Sequence, residues 1–117
     1  MPPRKAEPPL IPPEIASYLD VLWLQRGLSP ATLDSYRGDL VGFREWFDGN
    51  LLDVTEAELL DYLSVRHDEG ISARTVARLL STLRGYFFNA RERGEVSVDP
   101  TANIRSPTPG RRLPESL

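Results

Sequence analysis

Ser72 to Gly94 reads SARTVARLLSTLRGYFFNARERG. Set on a helix at about 100° per residue, its apolar side chains fall on one arc. Val76, Leu79, Leu80, Leu83 and Phe87 point one way, while Arg74, Arg78, Ser81 and Gly85 point the other. An apolar stripe must be buried against other elements, so the stretch predicts a helix over 73–93 inside a packed helical domain. The opposite side offers long cationic donors, a hydroxyl and bare backbone. Most such faces are only solvated, yet the same groups are what a phosphate backbone requires.

Upstream, Gly70 closes one helix before Ser72 caps the next. Thr55-Glu56-Ala57-Glu58 is a capping box that opens a helix over 56–69, expected to bury Leu59, Leu60 and Leu63. Asp48-Gly49-Asn50 is turn chemistry. Ser29-Pro30, a Ser cap with Pro at the first helical position, starts a helix over 30–48 with Leu33, Tyr36, Leu40, Phe43 and Phe47 as its buried stripe. Its other side reads Ala31, Ser35, Gly38, Gly42. A mid-helix Gly costs about 1 kcal/mol relative to Ala. Two of them four residues apart imply close approach, either by a neighbouring helix or by DNA. A first helix is expected over 14–26, where Ile15, Tyr18, Leu19, Leu22 and Trp23 recur at helical spacing before Gly27.

The ends differ from the middle. Residues 1–13 are Pro-rich and are expected to be a disordered tail. Asp99-Pro100 starts a last short helical turn, and 105–117, RSPTPGRRLPESL, reads as a basic, Pro-rich linker. No segment alternates as a strand would. The fold class is therefore all-α: four main helices plus a short C-terminal helical turn, in one domain over 14–104.

Composition removes several functions. The chain has 117 residues and no Cys, so there is no thiolate metal site or thiol nucleophile. His67 is the single His and stands on a polar helix end without another ligand type beside it, so no metal site and no cofactor is expected. No Gly-rich phosphate loop and no nucleophile–base pair is visible. No segment reads as a membrane span or signal peptide, which predicts a cytoplasmic protein with neither membrane nor small-molecule partner. The formal net charge is −3, but it is unevenly spread. Residues 72–94 carry five arginines against Glu92, whereas 48–70 carry seven acids against Arg66. A chain polarised in this way can dock a polyanion in one orientation. The second and fourth helices both begin with hydroxyls and free backbone N–H groups: Ser29, Thr32 and Ser35 on one, Ser72, Arg74, Thr75 and Arg78 on the other.

Several motifs resemble those of a known family. LSPATLDSYRGDLVGFREWF (28–47) resembles the opening of the core-binding domain of tyrosine recombinases, the phage-integrase and Xer group. SARTVARLLSTLRGYFFNARERG resembles that domain's fourth helix, DPTANI (99–104) the motif after it, and RSPTPGRRLPESL the interdomain linker. The resemblance implies a SAM-like orthogonal bundle that forms half of a clamp around double-stranded DNA, with its second and fourth helices against the major groove of a recombination half-site. It places Thr32, Ser35, Arg74, Thr75, Arg78, Ser81 and Arg84 at the DNA, with Arg111 and Arg112 following the backbone from the linker. It also turns the first helix, through Leu22 and Trp23, toward a neighbouring subunit of a synaptic tetramer. The family's nucleophilic Tyr and its Arg, His and Lys helpers belong to a second domain. The single His67 and single Lys5 cannot supply them, so this chain is expected to bind DNA without cleaving it. Two other readings fit the same residues: a helical protein-interaction domain whose arginine face meets an acidic partner, or a helix-turn-helix regulator. The acidic third helix weighs against the latter, since it would cross the phosphates.

Overall fold

A computed structural model describes residues 11–105. The chain begins with α1 (Pro13–Val21), which runs on as a π-helical turn, Leu22–Arg26. Next come α2 (Pro30–Trp46), a 3-10 turn (Leu51–Asp53), α3 (Glu56–Asp68) and α4 (Ala73–Glu92). The described residues contain no strand. Three of these helices, α2, α3 and α4, start where their capping residues stand. Ser29 Oγ accepts from the Thr32 amide at 3.2 Å, and Ser72 Oγ from the Thr75 amide at 3.1 Å. Thr55 and Glu58 satisfy each other's amides at 3.2 and 2.9 Å, completing the capping box. Gly27, at φ +61°, turns the chain out of the first helix into a left-handed conformation open to glycine.

The helices pack chiefly as α1 on α2, α2 on α4, and α3 on α4. α4 supplies most of the core: Val76, Leu79, Leu80, Leu83 and Phe87 are all buried, as the arc of the sequence requires, and so are Thr82, Tyr86 and Ala90. Against them lie Ile15, Tyr18 and Leu22 of the first helix, Leu40 and Phe43 of α2, and Leu59, Tyr62 and Leu63 of α3. The segment after α4 folds back on this core. Asp99 Oδ1 accepts from the Thr101 amide and hydroxyl at 2.8 and 2.7 Å, and Ile104 is buried. Residues 100–103 form a hydrogen-bonded turn rather than the expected helical one.

Four expectations need correction. Leu60 is 46% exposed, because the α3 face toward α2 is taken by Tyr62, whose ring packs edge-on to Phe43 at 4.9 Å. Trp23 is 52% exposed, since at about 100° per residue it stands at the edge of the arc on which Ile15, Tyr18 and Leu22 are buried. Leu22 is 2% exposed and belongs to this chain's own core, so it has no surface for a second subunit. Gly85 does not face outward. A Cβ built there would come 2.5 Å from the Tyr18 hydroxyl, so this glycine lets α1 approach α4.

That approach can be tested. Tyr18 is buried and meets Tyr86 edge-on at 5.5 Å, so its ring cannot swing aside. Overpacking costs about 1–3 kcal/mol, more than the gain of about 1 kcal/mol when Ala replaces Gly in a helix. Gly85→Ala is therefore expected to lower the melting temperature measured by circular dichroism, and Tyr18→Phe in the same chain to restore most of it. A single mutant that melts higher than wild type would show that the two helices are not in contact here.

Candidate nucleic-acid interface

The N-terminal turns of α2 and α4 are built alike. In each, a Ser hydroxyl accepts a backbone amide and donates to the Thr three residues on: Ser29 to Thr32 Oγ1 at 3.0 Å, and Ser72 to Thr75 Oγ1 at 3.0 Å. Each Thr oxygen is thereby held in place while its own proton stays uncommitted. Ser35, Arg74 and Ser81 are exposed, and among the described residues Arg74 is in no ion pair.

The two helices are locked together by a residue to which the sequence assigned no role. Asp39, in the middle of α2, accepts from Arg78 Nε at 3.2 Å and Arg78 Nη2 at 2.6 Å. Thr82 on α4 reaches the same carboxylate at 3.0 Å. The Asp39 side chain is only 9% exposed, whereas that of Arg78 is 49% exposed. A nearly buried anion thus holds a half-exposed cation side-on, and the hydrogen bond to Asp39 raises the Arg78 pKa above its ordinary value. One signal for Asp39 was available: an Asp in a helix interior, beside the buried Leu40, is unfavourable unless it finds a partner. Nothing in the sequence named that partner across 39 positions.

The glycine stripe of α2 divides. A Cβ on Gly42 would meet the Tyr62 hydroxyl at 3.5 Å, so Gly42 faces α3. A Cβ on Gly38 would meet nothing within 4 Å, so Gly38 is bare backbone open to solvent next to Asp39. Between α2, α3 and the start of α4 runs a cleft of about 430 Å3, with Trp46, Tyr62 and Thr75 among its walls. Arg84 stands apart from the rest: its guanidinium donates to the Ile104 carbonyl and ties the C-terminal segment to α4. Arg37 is engaged by Asp34. Arg111 and Arg112 lie outside the described residues. Among those described, no three His, Asp or Glu side chains gather where they could hold a metal ion. No helix there is long and apolar enough to cross a membrane.

The fold and this face define a class: a small all-α module of four helices whose second and fourth are pinned side by side. The chain belongs to the phage integrase N-terminal SAM-like domain family, whose model matches residues 15–94. It is 40% identical over 108 residues to the tyrosine recombinase XerD of Pseudomonas aeruginosa, covering 90% of this chain and 36% of the relative. It is 43% identical over 106 residues to XerD of Xanthomonas axonopodis pv. citri, covering 88% of this chain and 35% of the relative. To the tyrosine recombinase XerC of Xylella fastidiosa it is 33% identical over 107 residues, covering 88% and 36%. The chain therefore spans about a third of the length of these relatives. No solved structure matches it.

Proposed function

We propose that this chain is the non-catalytic DNA-docking domain of a Xer-type tyrosine recombinase. It lays α2 and α4 against the major groove of a recombination half-site, and strand exchange belongs to the full-length protein in the cytoplasm. The observation that carries the reading is the Asp39–Arg78–Thr82 crosslink, which holds α2 and α4 as one rigid platform. Around it Thr32, Ser35, Arg74, Thr75 and Ser81 offer donors without another structural burden, and Gly38 lets a duplex come close. Arg111 and Arg112 then follow the DNA backbone beyond the domain. Exposed Trp23 and Leu24, at the end of the first helix, suit contact with a second recombinase subunit in a synaptic tetramer.

The test is a mobility-shift titration on a half-site duplex and on a scrambled duplex at several salt concentrations. Affinity is expected to fall steeply with salt. Arg74→Ala is expected to flatten the dependence of log K on log salt by about 0.9, the signature of one lost phosphate contact. Binding that ignores salt would remove electrostatic docking from consideration. Gly38→Ala separates stability from docking. It is expected to stabilise the fold by about 0.5–1 kcal/mol, since nothing crowds the new methyl, yet to weaken DNA binding. Equal or tighter binding would show that no duplex approaches α2 there.

A further inference from the structure

The Asp39–Arg78 pair divides the labour of the arginines. We propose that Arg78, held by Asp39, reads the major-groove edge of a guanine, while Arg74 binds phosphate; the inference rests on the DNA-docking reading above.

A guanidinium carries five N–H donors in a rigid plane. Asp39 takes one from Nε and one from Nη2, at 3.2 and 2.6 Å. Of the three that remain, two form the end-on edge of Nη1 and Nη2, which faces away from the carboxylate. That fork matches the two acceptors of guanine, O6 and N7, side by side in the major groove. The same fork could grip a phosphate, but charge decides against it. With Asp39 almost buried behind it, the pair has no net charge and releases no counterion on meeting DNA. The carboxylate also repels a phosphate directly, whereas a guanine edge carries no formal charge. Pre-orientation adds selectivity, because Arg78 need not lose rotamer freedom on binding and cannot swivel to a different acceptor. Arg74 has none of these constraints: it is exposed and in no ion pair among the described residues. Gly38, one residue from Asp39, leaves room for a base pair to come close to the fork.

The experiment selects binders from a pool of random duplexes with the 117-residue chain and its variants, then measures salt slopes on the winners. Wild type is expected to enrich a guanine at one fixed position, preferred by about 5- to 150-fold over other bases. Arg74→Ala is expected to keep that guanine and lose salt slope. Asp39→Ala is expected to do the reverse. The freed arginine becomes a phosphate ligand, so the guanine preference falls while the salt slope rises by about 0.9. A residue that only held the fold together would weaken every duplex alike and could not raise the slope. Arg78→Ala should lose the guanine, and Asp39→Ala/Arg78→Ala repeats that loss without an orphaned buried carboxylate if the single variant unfolds. The inference is overturned if Arg78 variants weaken all sequences equally and lower the slope. In that case duplex binding by wild type still stands. If wild type enriches nothing and binds no duplex, the docking function falls and the inference with it.

Discussion

Arg78→Ala is expected to destabilise this domain more than Asp39→Ala, although Arg78 is the more exposed partner. The reason lies in what each deletion leaves behind. Removing Arg78 strands a carboxylate whose side chain is 9% exposed, with only the Thr82 hydroxyl to answer it. Breaking a fully buried pair in this way costs about 3–5 kcal/mol, and water entering the space that half-exposed Arg78 leaves beside Asp39 lowers this to about 2–3 kcal/mol. Removing Asp39 strands a guanidinium that is 49% exposed, which water can solvate from its open side. Thr82 then turns its proton wholly to the Arg78 carbonyl, already 3.1 Å away. The loss is about 1–2 kcal/mol, chiefly charge-assisted hydrogen bonds. For a domain of this size 1 kcal/mol moves the melting temperature by about 4–8 °C, so the two variants separate cleanly in a thermal melt. The double variant is expected to melt near Asp39→Ala, above Arg78→Ala. If Asp39→Ala proves the worse of the two singles, the carboxylate is not the buried member of the pair. The asymmetry also guards the DNA measurements, since a drop in affinity for Arg78→Ala has to be corrected for unfolded chain.

The helices were legible because their signals are local. Ser29-Pro30, the Thr55–Glu58 box and Ser72 act within one turn, and the structure starts α2, α3 and α4 at those residues. The buried arc of α4 was legible because periodicity alone sets which side chains share a face. What sequence could not supply was the pairing of faces. Gly85 and Gly38 both lie on apparently smooth helix sides, yet one is filled by Tyr18 and the other is open. Only the packing of α1 across α4 distinguishes them. Leu22 and Trp23 are neighbours in sequence with opposite fates, because about 100° of helix rotation separates them and packing decides which edge of the apolar stripe meets the core. The candidate interface divides along the same line. Arg74, Thr75 and Ser81 follow from position on α4. The Asp39–Arg78–Thr82 cluster and the Arg84 link to Ile104 are tertiary events, and they change what two of the arginines can do.

Raising the pH past 10 is expected to unfold the domain, with its tyrosines as the cause. Tyr18, Tyr62 and Tyr86 are all buried. Burial, the dominant cause in each, pushes Tyr18 from 10.0 up to about 12 and raises Tyr62 and Tyr86 as well. For Tyr18 the nearby Tyr36 adds to the rise and Arg26 opposes it. In the unfolded chain these phenols ionise near pH 10, while the folded chain still holds their protons. The unfolded state then binds fewer protons than the native one, so stability falls as pH rises. Each such group contributes stability that is complete below pH 10, and for Tyr18 that contribution is lost between about pH 10 and 12. For Tyr18 the slope inside that window is about 1.4 kcal/mol per pH unit. Tyr18 thus removes stability over that window against a total of only about 5–15 kcal/mol, and Tyr62 and Tyr86, raised in the same direction, add losses of the same sign. Competing alkaline losses are small here. The only Lys of the chain is Lys5, and the ion pairs of the described residues rest on Arg, apart from one with His67. Tyrosinate absorbance and helical circular dichroism are therefore expected to change together in one alkaline transition. Tyr18→Phe, which keeps the ring and removes the proton, should lessen the pH slope by about one proton above pH 10. Its melting temperature should then change less than that of wild type between neutral and alkaline pH. Unchanged slopes in the Phe variants would mean that the buried rings are not what limits the fold at high pH.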